Sequence, residues 1–275
     1  MRVIVFCLYL CLSMSVFATD IYRSESASGL VTFSDKASAN AKRIELDRLS
    51  KRYKVFVKRV IDGDTIEIST GQRLRFIGIN TPEISNRYHD AESGGESAKH
   101  WLQKQLTNKA IFIEYDQQQQ DKYQRLLTHV FLNDGTYLNA LILRKGLGML
   151  TLTPPNLLYA DLLIKAQKDA EEKEVGVWTL KPYQQKKLSL LAFKKSYRGW
   201  QRLKLTIKSV VKTKNSTLLK ADKRFAIRIN NEDLPLFTSL ERYEGKVIEV
   251  RGWVHRRVKQ YSMLIRHPSA IKLLN

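Results

Sequence analysis

Three short blocks of the sequence, at 62–65, 75–83 and 121–125, combine carboxylate and guanidinium side chains. Hydrolysis of a phosphodiester needs a cation that neutralises the charge developing at phosphorus, a base that activates water and groups that hold the phosphate in line. The blocks supply candidates for all three needs at the predicted edges of strands. They therefore predict phosphodiester chemistry, provided that the fold brings them together.

The first block places Asp62 and Asp64 on either side of Gly63. Carboxylate oxygens are hard ligands that suit Ca²⁺ or Mg²⁺. Asp-Gly is also a turn dipeptide, and read alone this block indicates a simple hairpin. The other blocks favour a site, because Arg75 and Arg125 add two guanidinium groups that can grip phosphate oxygens through paired hydrogen bonds.

In this order, the three blocks resemble the staphylococcal nuclease (thermonuclease) family. The resemblance runs from about residue 54 to 178 and includes the terminal Gly176-Val177-Trp178. It implies a barrel with three helices, dependence on Ca²⁺, and cleavage of DNA and RNA to products that end in a 3′-phosphate, with little sequence specificity.

The resemblance also implies the metal ligands. Asp64 would be the primary Ca²⁺ ligand and Asp62 its acidic neighbour, while Asn80 and the backbone carbonyl of Thr81 would complete the protein ligands. The best-known member has Asp at the position of Asn80. An amide oxygen can still bind Ca²⁺, so we expect weaker affinity for the ion rather than loss of activity.

The remaining implied roles concern water and phosphate. Glu83 would act as the general base or orient the attacking water, and Arg75 and Arg125 would grip the scissile phosphate. Lys122 and Tyr123 would contact the other phosphate. A second departure lies at 150–153, Leu-Thr-Leu-Thr, where the nucleotide-stacking tyrosines of the best-known member are not apparent.

Patterns of apolar residues predict the elements that position these blocks. Gly146 is predicted to cap the end of a helix. The strands are predicted at 54–60, 65–69, 73–79, 111–115 and 127–132, and the helices at 96–106, 138–145 and 156–173. This order predicts an α+β fold that is mainly β, with an oligomer-binding (OB-like) five-stranded barrel, three helices and a second small OB-like barrel.

Changes in composition divide the chain into segments. A short pattern, Ile21-Tyr22 followed by Phe33-Ser34-Asp35, resembles a small exported domain of bacterial envelopes; the alternative is a disordered leader. The predicted segments are a signal peptide at 1–18, a β-hairpin envelope-type domain at 20–50, a catalytic domain at 53–180, a linker at 181–196 and a basic domain at 197–275.

The N-terminal stretch has the features of an export signal. Arg2 precedes an apolar run at 3–17, and Val16-Phe17-Ala18 offers a cleavage site. The alternative is an uncleaved anchor, but the run is shorter than the roughly 20 residues of a spanning helix. Because Cys7 and Cys11 both lie inside this signal, a cleaved chain would carry no cysteine. We expect a periplasmic or secreted protein without a membrane span.

Positive charge is concentrated in the last third of the chain. The net charge is +20, and residues 181–275 hold 23 basic and 6 acidic residues. This imbalance predicts binding to a nucleic-acid backbone, with stacking of bases on interleaved aromatic residues. The alternative is that those aromatics form a core. They are Tyr197, Trp200, Phe225, Phe237, Tyr243, Trp253 and Tyr261.

The sequence is compatible with three functions. The leading one is a nuclease, expected to be monomeric, whose basic domain tethers substrate and so raises its local concentration. The second is a non-catalytic polyanion-binding protein, against which the intact Arg75, Glu83 and Arg125 argue. The third is an envelope adhesin that uses its charge on acidic polymers. The five histidines show no metal-ligand spacing, and no glycine-rich phosphate loop occurs in the sequence.

Overall fold

The computed structural model describes residues 21–25, 31–34, 42–44, 51–85, 90–107, 109–188, 199–257 and 260–274. They form two compact units, 1–51 and 52–275. Several predicted features lie outside the described residues: the signal peptide with its two cysteines, His89, Tyr197 and the linker from 189 onward. Within the described part of the chain, no helix is long and apolar enough to cross a membrane.

The first unit is a small antiparallel sheet. Its strands are β1 (Ile21–Glu25), β2 (Val31–Ser34) and β3 (Lys42–Ile44), in the order β2-β1-β3. β1 and β2 pair as the sequence pattern suggested, with Arg23 opposite Phe33. The third strand was not predicted, and the assignment to an envelope-type domain stays a prediction.

The second unit opens with a closed barrel in the order β4-β5-β6-β9-β8, in which only β6 and β9 run parallel. The elements of this region are β4 (Tyr53–Val60), β5 (Thr65–Ile68), β6 (Arg73–Phe76), β7 (Gly78–Asn80), α1 (Gly95–Leu106), β8 (Ala110–Gln120), β9 (Leu126–Phe131), α2 (Leu138–Arg144), β10 (Met149–Thr151) and α3 (Ala160–Glu172).

Apolar side chains that alternate along these strands fill the barrel. Ile66, Leu74, Ile111 and Val130 are fully buried, and Leu102 and its neighbours on α1 close one side. Such burial contributes roughly 25 cal/mol per Å² of apolar surface. The barrel and its three helices confirm the predicted fold class.

The strand predicted at 73–79 is divided in the structure. The chain turns at Ile77 and Gly78, and Gly78 has a left-handed φ of +78° that favours glycine. The buried amide of Asn139 holds this break: its Nδ2 donates to Ile77 O at 2.8 Å and its Oδ1 accepts from Val130 N at 3.0 Å. β7 is thereby released from the barrel and pairs with β10, which was not predicted.

The long helix predicted at 156–173 begins later, at Ala160. Asn156 is instead used as a strand partner, because its side chain accepts from Gln118 N at 2.7 Å and donates to Gln118 O at 2.8 Å. This segment therefore lies against the end of β8 before α3 starts.

A second sheet follows the first barrel. Its strands are β11 (Lys186–Lys187), β12 (Gly199–Thr206), β13 (Ser209–Lys212), β14 (Ser216–Lys220), β15 (Phe225–Asn230), β16 (Val247–Arg257), β17 (Gln260–Leu264) and β18 (Ile271–Leu273). The order is β11-β12-β16-β17-β15-β14-β13, with β18 on β16. Between β12 and β13, the amide of Ile207 donates to Lys246 O and that of Lys208 to Lys220 O. β12 and β13 thus act as one bent strand that pairs with both edges of the sheet and forms the second barrel. The strand order of the first barrel recurs here, and β15 and β17 form the parallel pair, as β6 and β9 do in the first.

The aromatic residues of the basic segment are mostly core. Trp200, Phe225, Tyr243 and Tyr261 are each less than a tenth exposed, so the alternative of structural aromatics applies to them. They are not available for base stacking. Trp253 is only partly buried.

The two barrels share a buried apolar cluster. Trp178 from the first packs edge-on against Trp200 from the second, with ring centroids 6.2 Å apart, and Tyr183 lies 5.9 Å from Trp200. Tyr183 and β11 belong to the stretch predicted as a linker. The described part of that stretch packs against both barrels. It therefore holds the second barrel against the first.

Candidate active site

The turn between β4 and β5 carries the first block. Ile61 N donates to Thr65 O at 2.9 Å, which makes it a hairpin turn, as the alternative reading held. It is more than a turn, however. A side chain on Gly63 would overlap with Thr81 and Ala98, so glycine lets the turn pack directly on the residues that follow β7.

Asp64 is the centre of the cluster and is only 5% exposed. Its Oδ2 accepts hydrogen bonds from Thr81 N at 2.8 Å and from Thr81 Oγ1 at 3.2 Å, while its Oδ1 accepts from Thr65 Oγ1 at 3.0 Å. Arg75 Nη1 lies 3.1 Å from the same Oδ2. The buried carboxylate is therefore paired with a cation and fixed by three donors, which offsets the cost of burying its charge.

Arg75 joins the carboxylate to the second block. Its Nη2 donates to Asn80 Oδ1 at 2.9 Å and its Nη1 to Phe76 O at 3.0 Å. Asn80 Nδ2 in turn donates to Thr81 O at 3.0 Å. Three of the predicted ligand residues thus meet around one guanidinium, whose side chain is 14% exposed.

Asp62 lies beside this cluster and is partly buried. Its Oδ1 accepts from Asp64 N at 3.0 Å. Burial, and then the negative charge of Asp64, raise the pKa of Asp62 to about 7. Two neighbouring carboxylates of this kind would become easier to ionise together if a cation lay between them.

Glu83 begins the loop that follows Pro82 and is exposed. Its backbone is fixed at both ends: Glu83 N donates to Glu92 Oε2 at 3.0 Å, and Glu92 N donates to Glu83 O at 2.8 Å. A Cβ on Gly95 would overlap with Glu83 O. The start of α1 therefore sets the position of Glu83, two residues beyond Thr81.

The third block is a tight turn in front of β9. Asp121 Oδ1 accepts from the amides of Tyr123 and Arg125 at 2.9 and 3.0 Å, and its Oδ2 accepts from Arg125 Nε at 2.7 Å. Leu127 lies opposite Arg75 in the parallel pair of β6 and β9. Arg125 lies two residues earlier, just ahead of β9, so the third block leads directly into the strand that pairs with β6.

Lys122 and Tyr123 stand at the tip of that turn. Tyr123 is 67% exposed, with Lys122 Nζ 5.0 Å and the Arg125 guanidinium 5.5 Å from its ring centroid. The exposed ring is thus flanked by two cations.

Some contributors were missed by sequence reasoning. The hydroxyls of Thr65 and Thr81 fix the Asp64 carboxylate, and Asp121 orients Arg125. The available signal was weak, because a threonine beside an aspartate or an Asp four residues before an Arg is common.

Histidine contributes nothing to this site in the described residues. His129 is buried and contacts Tyr137 Oη at 2.7 Å, whereas His100 and His255 are exposed. Among the residues that the structure covers, no group of three or more His, Cys, Asp or Glu is arranged to hold a metal.

The chain is similar to known proteins over the first barrel and its helices. The family described as staphylococcal nuclease homologue matches residues 73–180. The chain is 39% identical to a thermonuclease of Staphylococcus intermedius over 125 residues, which cover 44% of this chain and 74% of that protein. It is 35% identical to a thermonuclease of Staphylococcus hyicus over 130 residues, which cover 46% of this chain and 75% of that protein.

A third relative matches over a greater length. An uncharacterised protein of Methanocaldococcus jannaschii is 29% identical over 198 residues, which cover 62% of this chain and 93% of that protein. This similarity extends beyond the length shared with the thermonucleases. With the barrel, the site and these relatives together, the chain belongs to the staphylococcal nuclease family and is a nuclease, a hydrolase of phosphodiester bonds.

Proposed function

We propose that this nuclease cleaves both DNA and RNA with the help of Ca²⁺ and leaves 3′-phosphate ends, with little sequence specificity. The observation that carries the proposal is the connected cluster of Asp64, Arg75, Asn80 and Thr81 at the ends of neighbouring strands. A buried carboxylate, a guanidinium and two further oxygen ligands in contact suit a phosphate bound beside a hard cation.

The donor set fits Ca²⁺. The ligands would be the carboxylate of Asp64, the amide oxygen of Asn80 and the carbonyl of Thr81, with Asp62 nearby. All are oxygens, which Ca²⁺ prefers, and a mixture of carboxylate and carbonyl ligands is usual for it. When bound, the ion supplies positive charge opposite the phosphate oxygens.

The chain's own residues would do the rest. Arg75 of β6 and Arg125, just ahead of the neighbouring β9, would hold the non-bridging oxygens and stabilise the charge of the transition state. Glu83 would take the proton of a water that attacks phosphorus. The bond from phosphorus to the 5′ oxygen then breaks, the departing oxygen takes up a proton, and the phosphate stays on the 3′ oxygen. Lys122 and Tyr123 would contact the neighbouring phosphate.

The proposal is tested with the purified chain on plasmid DNA and on RNA, with Ca²⁺ or with a chelator. Glu83→Gln removes the proposed base without changing its size, and Glu96→Gln, an exposed carboxylate in the first turn of α1, is the matched control. We expect Ca²⁺-dependent cutting of both polymers, a loss of about 10²–10⁴-fold in Glu83→Gln, and no change in Glu96→Gln. End-group analysis should find 3′-phosphates.

Other outcomes would count against the proposal. Binding of nucleic acid without any Ca²⁺-dependent cutting would favour a non-catalytic polyanion-binding protein. Equal activity of Glu83→Gln and the wild type would remove Glu83 from the chemistry.

Export and the basic segment complete the proposal. We infer that residues 1–18 direct the monomeric protein out of the cytoplasm, which cell fractionation with and without these residues would test. The excess of basic residues in 181–275 would bind the nucleic-acid backbone. That binding should weaken steeply with salt, and a flat salt dependence would argue against it.

A further inference from the structure

A cavity of about 330 Å³ lies where the segment after β10 faces the outer surface of the second barrel. Thr151 and Thr153 line it from the first barrel. Trp253, His255 and Arg266 line it from the second. Its volume falls within the roughly 300–1,000 Å³ that is usual for small-molecule sites.

Strand pairing connects this cavity to the active site. β10 runs antiparallel to β7, with Met149 opposite Asn80 and Thr151 opposite Gly78. Residues directly opposite in such a pair share a face, and so do alternate residues of one strand. Thr151 therefore lies on the same face as Asn80, on the order of 10 Å along the ribbon. At that spacing, a nucleoside attached to a phosphate held by Arg75 would extend from Asn80 to the cavity wall at Thr151.

The chemistry of the lining selects the occupant. No Asp or Glu is among the described residues that line the cavity, so a polyanion meets no fixed negative charge there. Arg266 is neutralised by Asp233, whose Oδ2 accepts from its Nε at 3.0 Å. Arg251 is likewise paired, with Glu171 and Glu249. What remains is two tryptophan rings, imidazoles, hydroxyls, the amide of Gln167 and apolar groups. This combination suits a flat, neutral ring with polar edges better than a phosphate.

The wall from the second barrel is held firmly in place. Arg251 Nη2 donates to Glu171 Oε2 of α3 at 2.8 Å, and Arg202 Nε donates to the buried Glu249 Oε1 at 2.8 Å. The side chain of Arg251 is only 12% exposed. Since the ion pairs and the Trp178–Trp200 contact fix the two barrels together, the cavity exists without a closing motion.

We propose that this cavity binds a nucleoside of the substrate strand next to the scissile phosphate, with its base against Trp253 and with His255 at its rim. The second barrel is then part of the substrate cleft as well as a basic surface. The inference rests on the proposed nuclease function, and it names a site for the substrate that the catalytic cluster does not include.

The test compares two substrates of the full-length chain. One is a single-stranded dinucleotide, and the other is its analogue with a tetrahydrofuran abasic sugar on each side of the phosphate, a nucleoside-free diester that carries no flat ring. The variants are Trp253→Ala, Trp253→Phe and His255→Ala. The control is His100→Ala, an exposed histidine on α1 that does not line this cavity.

We expect Trp253→Ala to raise KM for the dinucleotide about tenfold, as for loss of one base stack. Trp253→Phe keeps a ring and should cost only about threefold. Activity on the nucleoside-free diester should not change, and His100→Ala should match the wild type on both substrates. Unfolding temperatures close to that of the wild type would exclude loss of barrel docking.

Two results would overturn the inference: an unchanged KM for the dinucleotide in Trp253→Ala, or an equal loss on both substrates. Failure of the proposed function is a separate result, in which the wild type cleaves neither substrate. In that case, titration with the dinucleotide still decides the point, because a nucleoside in the cavity should quench tryptophan fluorescence in the wild type more than in Trp253→Phe.

Discussion

At the scale of single residues, the site is organised by one buried carboxylate. Asp64 holds two neighbouring strands together through Thr81 and Arg75, so the same contacts that stabilise the fold also place the site. A residue with both functions cannot be replaced without affecting both. Informative substitutions are therefore those at the rim, where the charge changes and the contacts remain.

Asn80→Asp is such a substitution. The added carboxylate would keep the contact with Arg75 Nη2, now 2.9 Å from the amide oxygen, and would add a negative charge beside Asp64. We expect the Ca²⁺ concentration for half-maximal activity to fall about tenfold, because opposite charges a few ångströms apart attract strongly near a protein surface. Activity is titrated against Ca²⁺ in both proteins. An unchanged half-saturation point would mean that residue 80 does not bind the ion.

The roles assigned to the site residues come from the resemblance of the three blocks to the staphylococcal nuclease family, because each block alone indicates only a turn or a solvated strand. Their arrangement could not be predicted from the sequence. The break at Ile77 depends on the buried amide of Asn139, which comes from a distant helix. Hydrophobic periodicity reports which face of a strand is buried and says nothing about a hydrogen bond across 62 residues.

At the scale of elements, two glycines join the end of α2 to the segment after α3. Gly146 and Gly176 both have left-handed backbone, with φ of +64° and +61°. Val177 N donates to Gly146 O at 2.7 Å. A Cβ on Gly146 would overlap with Val175 O, and one on Gly176 with Gly146 O. The sequence predicted a helix cap at Gly146, but the close approach of the two backbones could not be seen in it.

Gly176→Ala should therefore be strongly destabilising. The control is Gly135→Ala, since Gly135 also has a positive φ, of +83°, but has open space around its Cα. We expect a loss of about 1 kcal/mol for Gly135→Ala from backbone strain alone. Gly176→Ala should cost roughly 3 kcal/mol or more, because the backbones must also move apart. Chemical unfolding measures both. Similar losses in the two variants would show that the close approach contributes nothing.

At the scale of the whole molecule, the chain's charge and its chemistry lie in different barrels that are packed together. Composition places the charge in 181–275 and predicts a linker at 181–196. In the described part of that stretch, Tyr183 is buried and β11 pairs with β12, so these residues are part of the packed structure. A polar, lysine-rich stretch can still contribute one buried aromatic residue. The average composition of such a stretch does not reveal that single residue.

Arg251 tests how strongly the barrels are coupled. Arg251 pairs with Glu171 of α3 and with the buried Glu249, whose Oε1 lies 2.6 Å from Arg251 Nη2. Arg251→Met should lower the free energy of unfolding by about 2 kcal/mol, less than the roughly 3–5 kcal/mol of a buried charge left without any partner, because Glu249 keeps its hydrogen bond from Arg202. Lys168→Met is the control: its pair with Glu172 is exposed, at 3.6 Å, and should contribute less than about 1 kcal/mol.

The ion pairs of Glu249 with Arg202 and Arg251 make the stability of the fold depend on pH, and the pKa shift of Glu249 gives the direction. Burial acts to raise the pKa of Glu249, but hydrogen bonds and charge from Arg202 and Arg251 outweigh it and lower the pKa below its ordinary value. A lowered pKa in the folded state contributes stability that is present above the ordinary pKa, near 4.5, and is lost as the pH falls through the lowered pKa. Thermal unfolding between pH 7 and pH 3 should therefore show the stability gap between wild type and Arg251→Met shrinking on acidification. A gap that stays constant over this range would mean that Arg251 acts through packing against Trp178 and not through its charge.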